Sequence, residues 1–289
     1  MVTQPQISFI VLTYNRPEAL LLVLRSLAAQ CQSHHEIVIA DDGSSDTAVR
    51  FTRENLPRFR CPVRHVWHPD TGFTASCARN LGAMASSGNY LVFLDGDCVP
   101  NHRFARAHEA LARPGHFVNG SRVLLSEALT RRVLLQGTDM DILNARVWDW
   151  ARWRLTGHVN KLSHLLYWPD APGRVEKKFR WQQIKSCNLA VWKSDFLKIN
   201  GFDEVFEGWG HEDADMVLRL HHLGIDRQNG FCCTEVYHLW HRHNTRQNEG
   251  INHQRVLDRA KSGCVRAEKG ALDHADQNGV VITDLASGG

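Results

Sequence analysis

The sequence predicts an α/β fold, a Rossmann-like, mostly parallel sheet flanked by helices and carrying a helical, Trp-rich insert. Three observations predict it. Strand-like and helix-like segments alternate through the first hundred residues, the pattern that builds a parallel sheet covered by helices. Two of the strand candidates are unbroken apolar runs, as strands buried on both faces must be. Every polar motif in this half also falls just after a strand, where open α/β sheets bind their ligands.

The strand candidates are "ISFIVLT" (7–13), "EIVIA" (36–40), "VRHVW" (63–67) and "YLVFL" (90–94). Helical periodicity follows Pro17 through Ala19, Val23 and Leu27, then covers 47–55 and 73–85. In the last of these, Phe73, Ala78, Leu81 and Ala85 are expected to face inward. From about 126 to 181 the chain becomes helical, Trp-rich and basic. Between Arg146 and Lys185 nine Lys and Arg stand against three Asp and Glu. "SCNLAVW" (186–192) reads as a strand with a helix signal after it, 201–224 as loop then helix, and "FCCTEVYHLWH" (231–241) as a late strand. Beyond Asp273 little is apolar except "VVI", so a frayed tail is expected. The expected divisions are 1–125, the α/β half; 126–182, the insert or lid; 183–250, a continuation of the same domain; and 251–289, a helix and tail.

A chain of 289 residues, 43% apolar and 22% charged, can bury a large core. Its net charge of +3 is too small to imply a nucleic-acid partner, and no segment reaches membrane-spanning length. "ALLLVLRSLAA" comes nearest and is interrupted by Arg25. The N-terminus lacks a basic region and a cleavage site around its apolar run, so no signal peptide and a cytoplasmic location are expected. Eight scattered cysteines without a C-x-x-C pair argue for buried thiols and against a disulfide scaffold or zinc ribbon.

Four motifs carry the candidate chemistry. "DGD" at 95–97 suits a turn, and it equally suits a hard divalent cation shared with phosphate oxygens; an EF-hand is excluded by Val99 and Pro100. In "DDGSSD", Ser45 or Asp46 can cap a helix, while Asp41 at the strand end can accept hydrogen bonds from a ligand. Arg79 alone reads as a surface arginine; beside a diphosphate it would supply fork geometry and permanent charge. In "GWGHEDADMVLRL", a helix starting near His211 puts Asp213 on one face with Met216, Val217 and Leu220 and turns Asp215 roughly 160° away. Helix capping accounts for all three acids except for the inward direction of Asp213. "EVYHLWHRH" adds His238, His241 and His243, any of which is an ordinary strand histidine unless a metal is held nearby. No glycine-rich phosphate loop is present, which argues against dinucleotide enzymes and P-loop ATPases.

Together, "VLTYNRPEALLLVLRSL", "EIVIADDGSSD", "GFTASCARNLGAMASSGNYLVFLDGDCVP" and "SCNLAVWKSDFLKINGFDEVFEGWGHEDADMVLRL" resemble the family 2 glycosyltransferases of GT-A fold. The last block is similar to a C-terminal motif of galactosyl- and N-acetylgalactosaminyltransferases. The resemblance runs from Ile7 to about His243, except the stretch from Ser126 to Trp181. It implies that Thr13 and Asn15 line a nucleotide pocket, that Asp41 binds the uracil edge of a UDP-sugar, and that Arg79 lies near its diphosphate. Asp95 and Asp97 match the D-x-D that holds Mn²⁺ or Mg²⁺ against the donor, with His238 as the third ligand and His241 as second choice. Asp213 matches the base of inverting members, and Trp209 and Glu212 match residues that bind the acceptor sugar. The implied activity is transfer of a hexose or N-acetylhexosamine to a glycan or lipid-linked glycan.

The basic insert has no matching motif. It is expected to be either an ordinary lid with a solvated basic face or a dock for an anionic acceptor or membrane, which would put the protein on the inner face of the plasma membrane. Two other functions remain open on the sequence: a metal-dependent nucleotidyltransferase, which should carry a basic N-terminal loop where this chain has only Arg16, and a non-catalytic nucleotide-sugar- or glycan-binding module.

Overall fold

The computed structural model describes residues 5–135, 142, 145–182, 184–208, 210–242, 248–274 and 279–286. β1 (Ile7–Thr13), β2 (Glu36–Asp41), β3 (Val63–Trp67) and β4 (Tyr90–Asp95) run parallel, joined by α1 (Pro17–Gln30), α2 (Asp46–Glu54) and α3 (Ala75–Ala85). Side chains alternate across the sheet. Phe9 and Val11 of β1 and Val92 and Leu94 of β4 enter one core with α1, whereas Ile10, Leu91 and Phe93 enter the other with α3. Both faces are covered, which is why these strands read as continuous apolar runs. Ser45 caps α2, its Oγ accepting the Ala48 N–H. α3 begins after Phe73, which is exposed rather than inward.

Next in the chain come β5 (Cys98–Pro100), α4 (Phe104–Leu111), β6 (His116–Asn119), β7 (Ser121–Leu124), α5 (Glu127–Leu135) and α6 (Val147–Leu155). They are followed by β8 (Asn188–Trp192), α7 (Lys193–Lys198), α8 (Glu212–His222), β9 (Asp226–Asn229), β10 (Glu235–His238), α9 (Glu249–Ser262) and β11 (Val281–Ala286). Among the described residues the main sheet has the order β11-β3-β2-β1-β4-β8-β6-β9, and a small second sheet has the order β5-β10-β7. β8 runs antiparallel to β4, and β10 antiparallel to β5. Strands such as β5, β7 and β9 span only three or four residues, too short for periodicity to reveal. No helix among the described residues is long and apolar enough to cross a membrane.

Two expectations are corrected. The tail is not simply frayed: β11 adds to β3, with Val281 opposite Trp67 and Ile282 opposite Val66. Both apolar residues stay half exposed, so backbone pairing at a free sheet edge holds this strand rather than the burial that sequence patterning reports. Among its described residues the insert is helical in α5 and α6 and in a short 3₁₀ turn at Ser163–Leu165, and 166–182 is irregular. Trp150 and Trp153 anchor it, buried in the first core with Trp150 stacked on Tyr237. Arg174 is not part of a solvated basic face either. It is buried and donates to the carbonyls of Trp168, Pro169, Asn229 and Phe231, tying the irregular stretch to the end of β9.

α8 carries the second acidic motif and is buried on two sides. Met216, Val217 and Leu220 face the sheet, while Ala214 and Leu218 pack with Val256 of α9. Asp215, expected to point away from the core, is therefore 0% exposed. Its Oδ2 lies 2.7 Å from Arg219 Nη2 and its Oδ1 2.8 Å from Arg259 Nε, and Arg259 also reaches Asp203. Arg219 donates in addition to the carbonyls of Ile199 and Gly201. Removing one member of such a buried network strands the others. Asp215→Ala is expected to lower the unfolding free energy by about 3–5 kcal/mol in urea denaturation; a loss under about 1 kcal/mol would put the pair on the level of a surface bridge.

Candidate active site

The strand ends set the site. In register, Thr13 pairs with Asp41 and Leu12 with Asp95, so the motifs after β1, β2 and β4 open on one crevice. The turn after β4 needs its glycine: the Gly96 N–H donates to the Leu12 carbonyl, and a Cβ there would stand 2.8 Å from that same oxygen. This turn separates Asp95 from Asp97, which do not share a side as they would in a straight strand.

Thr13 and Asp41 line a shallow pocket together with Arg16, Pro17, Ser44, Val49 and His65; its space, open solvent included, is about 220 Å³. Asp41 is buried, with Oδ1 accepting the Ser44 N–H at 2.7 Å and Oδ2 at 2.9 Å from His65 Nε2. Asn15 does not line this cavity. It adopts a left-handed conformation (φ 47°), donates its N–H to Ser44 Oγ and accepts the Ser45 N–H, so it braces the rim. His65 and Ser44 were missed by sequence reasoning; a histidine inside the apolar run "VRHVW" was the available signal.

Asp97 sits among histidines. β10 lies against β5 with His238 opposite Cys98, and the Leu239 N–H donates to the Asp97 carbonyl. His238 Nε2 is 3.9 Å from Asp97 Oδ1, and His241 Nε2 is 3.6 Å from Asp97 Oδ2. One ligand atom from each of the three residues lies within 4.8 Å of the others. Burial holds the His238 ring below the usual imidazole pKa, against the pull of Asp97, which keeps a lone pair available. His241 Nδ1 stands 2.8 Å from the Arg242 carbonyl, an acceptor only, so Nδ1 carries the proton and Nε2 is the basic nitrogen. A carboxylate with two imidazoles fits a divalent transition ion. Asp95 falls outside this trio and differs from the expected ligand set: its Oδ1 accepts from Arg79 Nη2 at 2.9 Å. Second-choice His241 stands with His238 instead. His243 and Trp209 lie outside the described residues.

Arg79 is not a surface arginine. It is 3% exposed, lies over the Phe202 ring and spans two motifs, bonding Asp95 and reaching Glu212 Oε1 at 3.4 Å. Glu212 opens α8 beside Asp213, after His211 in a left-handed turn. Asp213 accepts the Ala214 N–H at 2.8 Å and the Ser186 N–H at 3.3 Å. Burial, then the neighbouring Glu212 charge, pushes its carboxyl up to about 7, with Lys185, the Ala214 N–H and Arg79 opposing. A carboxyl with that pKa is suited to general-base work near neutrality.

The sequence profile of glycosyl transferase family 2 matches residues 8–163, more than half of the chain. The chain belongs to glycosyl transferase family 2. A second profile, described as the N-terminal domain of galactosyltransferase, matches residues 173–242. The two matches divide the site between them: the pocket, Arg79 and the Asp95–Asp97 turn fall in the first, and Glu212, Asp213, His238 and His241 in the second. Among relatives, validoxylamine A glucosyltransferase of Streptomyces hygroscopicus subsp. jinggangensis is 29% identical over 76% of this chain and 52% of its own. Chondroitin synthase of Escherichia coli is 26% identical over 75% of this chain and 32% of its own. The chain thus spans about half the length of the first and a third of the second. The fold is shared with GT-A glycosyltransferases. The mannosyltransferase PcManGT from Pyrobaculum calidifontis, solved with GDP-Man and Mn²⁺, superposes with TM-score 0.55 at 17% identity, covering 93% of this chain and 66% of that one. S. aureus TarS 1-349 superposes with TM-score 0.52 at 14% identity, covering 92% and 67%.

Because Arg79 holds the Asp213 carboxyl down, Arg79→Met is expected to raise its pKa above about 7. Titration of ¹³C-labelled aspartate carboxyls by NMR reads this directly; an unmoved Asp213 midpoint would show that the Arg79 charge does not reach this carboxyl.

Proposed function

We propose that the chain is an inverting glycosyltransferase that moves a hexose or N-acetylhexosamine from a UDP-sugar to a hydroxyl of a glycan or glycolipid, using Mn²⁺ or Mg²⁺. The observation that carries this reading is the division of labour between two acidic groups. Asp97 stands with two histidines, while Asp213 stands apart, half-buried, with a pKa of about 7.

The residues take these roles. Asp97, His238 and His241 hold the ion, and two imidazoles favour Mn²⁺ over Mg²⁺, which prefers oxygen ligands. Bound there, the ion supplies Lewis-acid stabilisation to the leaving diphosphate. Asp41 keeps lone pairs beyond those used by Ser44 and His65 and accepts the N3–H of uracil, with Thr13 and the Asn15-braced rim enclosing the base. Arg79 and Asp95 face the donor between the metal turn and α8. Glu212 and Trp209 bind the acceptor sugar. Asp213, held by two backbone N–H groups, takes the proton of the acceptor hydroxyl as that oxygen bonds to the anomeric carbon and the bond to the diphosphate breaks. In-line attack turns an α-linked donor into a β-linked product.

Only the ionised carboxylate accepts a proton, so turnover is expected to rise with pH through about 7. Asp213→Asn is expected to lower kcat by about 10²–10⁴-fold while calorimetric affinities for UDP and Mn²⁺ stay nearly intact; unchanged turnover would reject the base assignment.

The outer face of α6 supports a peripheral contact with anionic membrane, on the inner face of the plasma membrane. Opposite the buried Trp150 and Trp153, Trp148 is 81% and Leu155 88% exposed, flanked by the exposed Arg152 and Arg154. Lys177 and Lys178, also exposed, extend the charge. Co-sedimentation with vesicles containing anionic lipid is expected, with loss when Arg152, Arg154, Lys177 and Lys178 are neutralised; sedimentation independent of those four charges counts against the contact.

A further inference from the structure

Arg16 was not among the residues that sequence reasoning assigned to the site, yet it joins the two halves of it. Arg16 is among the residues that line the pocket with Thr13, Asp41 and His65, and its Nη1 lies 2.7 Å from Asp97 Oδ2. That oxygen is the one His241 Nε2 approaches at 3.6 Å. A second contact, from Nη2 to the Trp240 carbonyl, is long at 3.5 Å. The backbone is fixed: the Arg16 carbonyl accepts the Leu20 N–H at the start of α1, and Pro17 follows as the first helical residue. The side chain is one-third exposed, so it can swing where its backbone cannot.

We infer that Arg16 is a displaceable counter-ion that couples metal binding to nucleotide binding. The inference rests on the metal role proposed for Asp97, His238 and His241. A divalent ion and the guanidinium are both cations directed at one carboxylate, so an ion binding alone must displace Arg16 and stand close to it. A nucleoside diphosphate changes this balance. With its base in the cavity and its phosphates at the ion, the diphosphate occupies the interval that Arg16 spans, and phosphate oxygens accept the guanidinium fork in place of Asp97. The nucleotide thereby relieves the competition, and by reciprocity the ion raises nucleotide affinity by the same factor.

The test reads binding rather than turnover. Free Mn²⁺ is followed by electron paramagnetic resonance during titration of the full chain, with and without UDP, for wild type, Arg16→Met and Arg16→Lys. Wild type is expected to bind Mn²⁺ about tenfold or more tightly with saturating UDP, within the usual range of coupling between sites. Arg16→Met is expected to bind Mn²⁺ alone at least threefold more tightly than wild type, and to lose most of the coupling factor. Arg16→Lys keeps the charge without the fork, so it falls between the two and carries the test if the methionine variant does not fold. Mn²⁺ affinity without nucleotide that is unchanged or weakened in both variants, or undiminished coupling, overturns the inference while leaving the metal site standing. Mn²⁺ binding that survives Asp97→Ala removes the site itself, and the inference with it.

Discussion

The site depends on a buried guanidinium. Two acidic motifs more than a hundred residues apart, Asp95 with Asp97 and Glu212 with Asp213, are brought to one crevice, and like charges in a low-dielectric crevice repel. Arg79 meets this constraint from α3, bonding Asp95 and reaching Glu212 while its face rests on Phe202. The desolvation cost of so buried a cation is offset only because it has two carboxylate partners. A comparable device supports the same helix from behind, where Arg219 and Arg259 neutralise Asp215. The N-terminal end of α8 is thus held between two buried cation networks.

Asp213 shows what such a placement costs. Its carboxyl is raised from the ordinary aspartate range to about 7 by burial and by Glu212. A group whose folded-state pKa lies above its unfolded value contributes stability at low pH, and that contribution is lost as pH rises through the folded value. The fold therefore loses stability as pH rises from the ordinary aspartate value of 3.8 to about 7, where the folded carboxyl ionises. Asp97 has a different set of neighbours: Arg16 compensates its charge, and two histidines stand beside it.

Much of this was legible in the residues. The apolar runs of β1 and β4 predicted a doubly covered sheet because a side-chain period of two, buried on both faces, leaves no polar position. The polar motifs after β1, β2 and β4 predicted a shared crevice, because parallel strands place their carboxyl ends on one edge. Misreadings came where a local rule met a second partner. Asp215 was turned outward by helical geometry, but α9 covers that side of α8. Arg79 taken alone read as a surface cation because single arginines usually are, and a solvated basic face was one reading of the insert that holds Arg174; only distant acceptors bury the two. β11 escaped because its stability comes from backbone pairing with an edge strand.

By itself, then, the sequence determined the α/β plan, the order and ends of the main strands and helices of the first half, and the residue types available at each strand end, since these follow from periodicity and turn chemistry within a few residues. Tertiary structure alone decided which of those groups meet. The Gly96 turn parts Asp95 from Asp97, the short β5–β10 pairing brings His238 and His241 to Asp97 across some 140 residues, and Arg16 reaches that same carboxylate from the start of α1. Such contacts span the chain, and the register of three- and four-residue strands leaves no periodic trace by which a sequence could announce them.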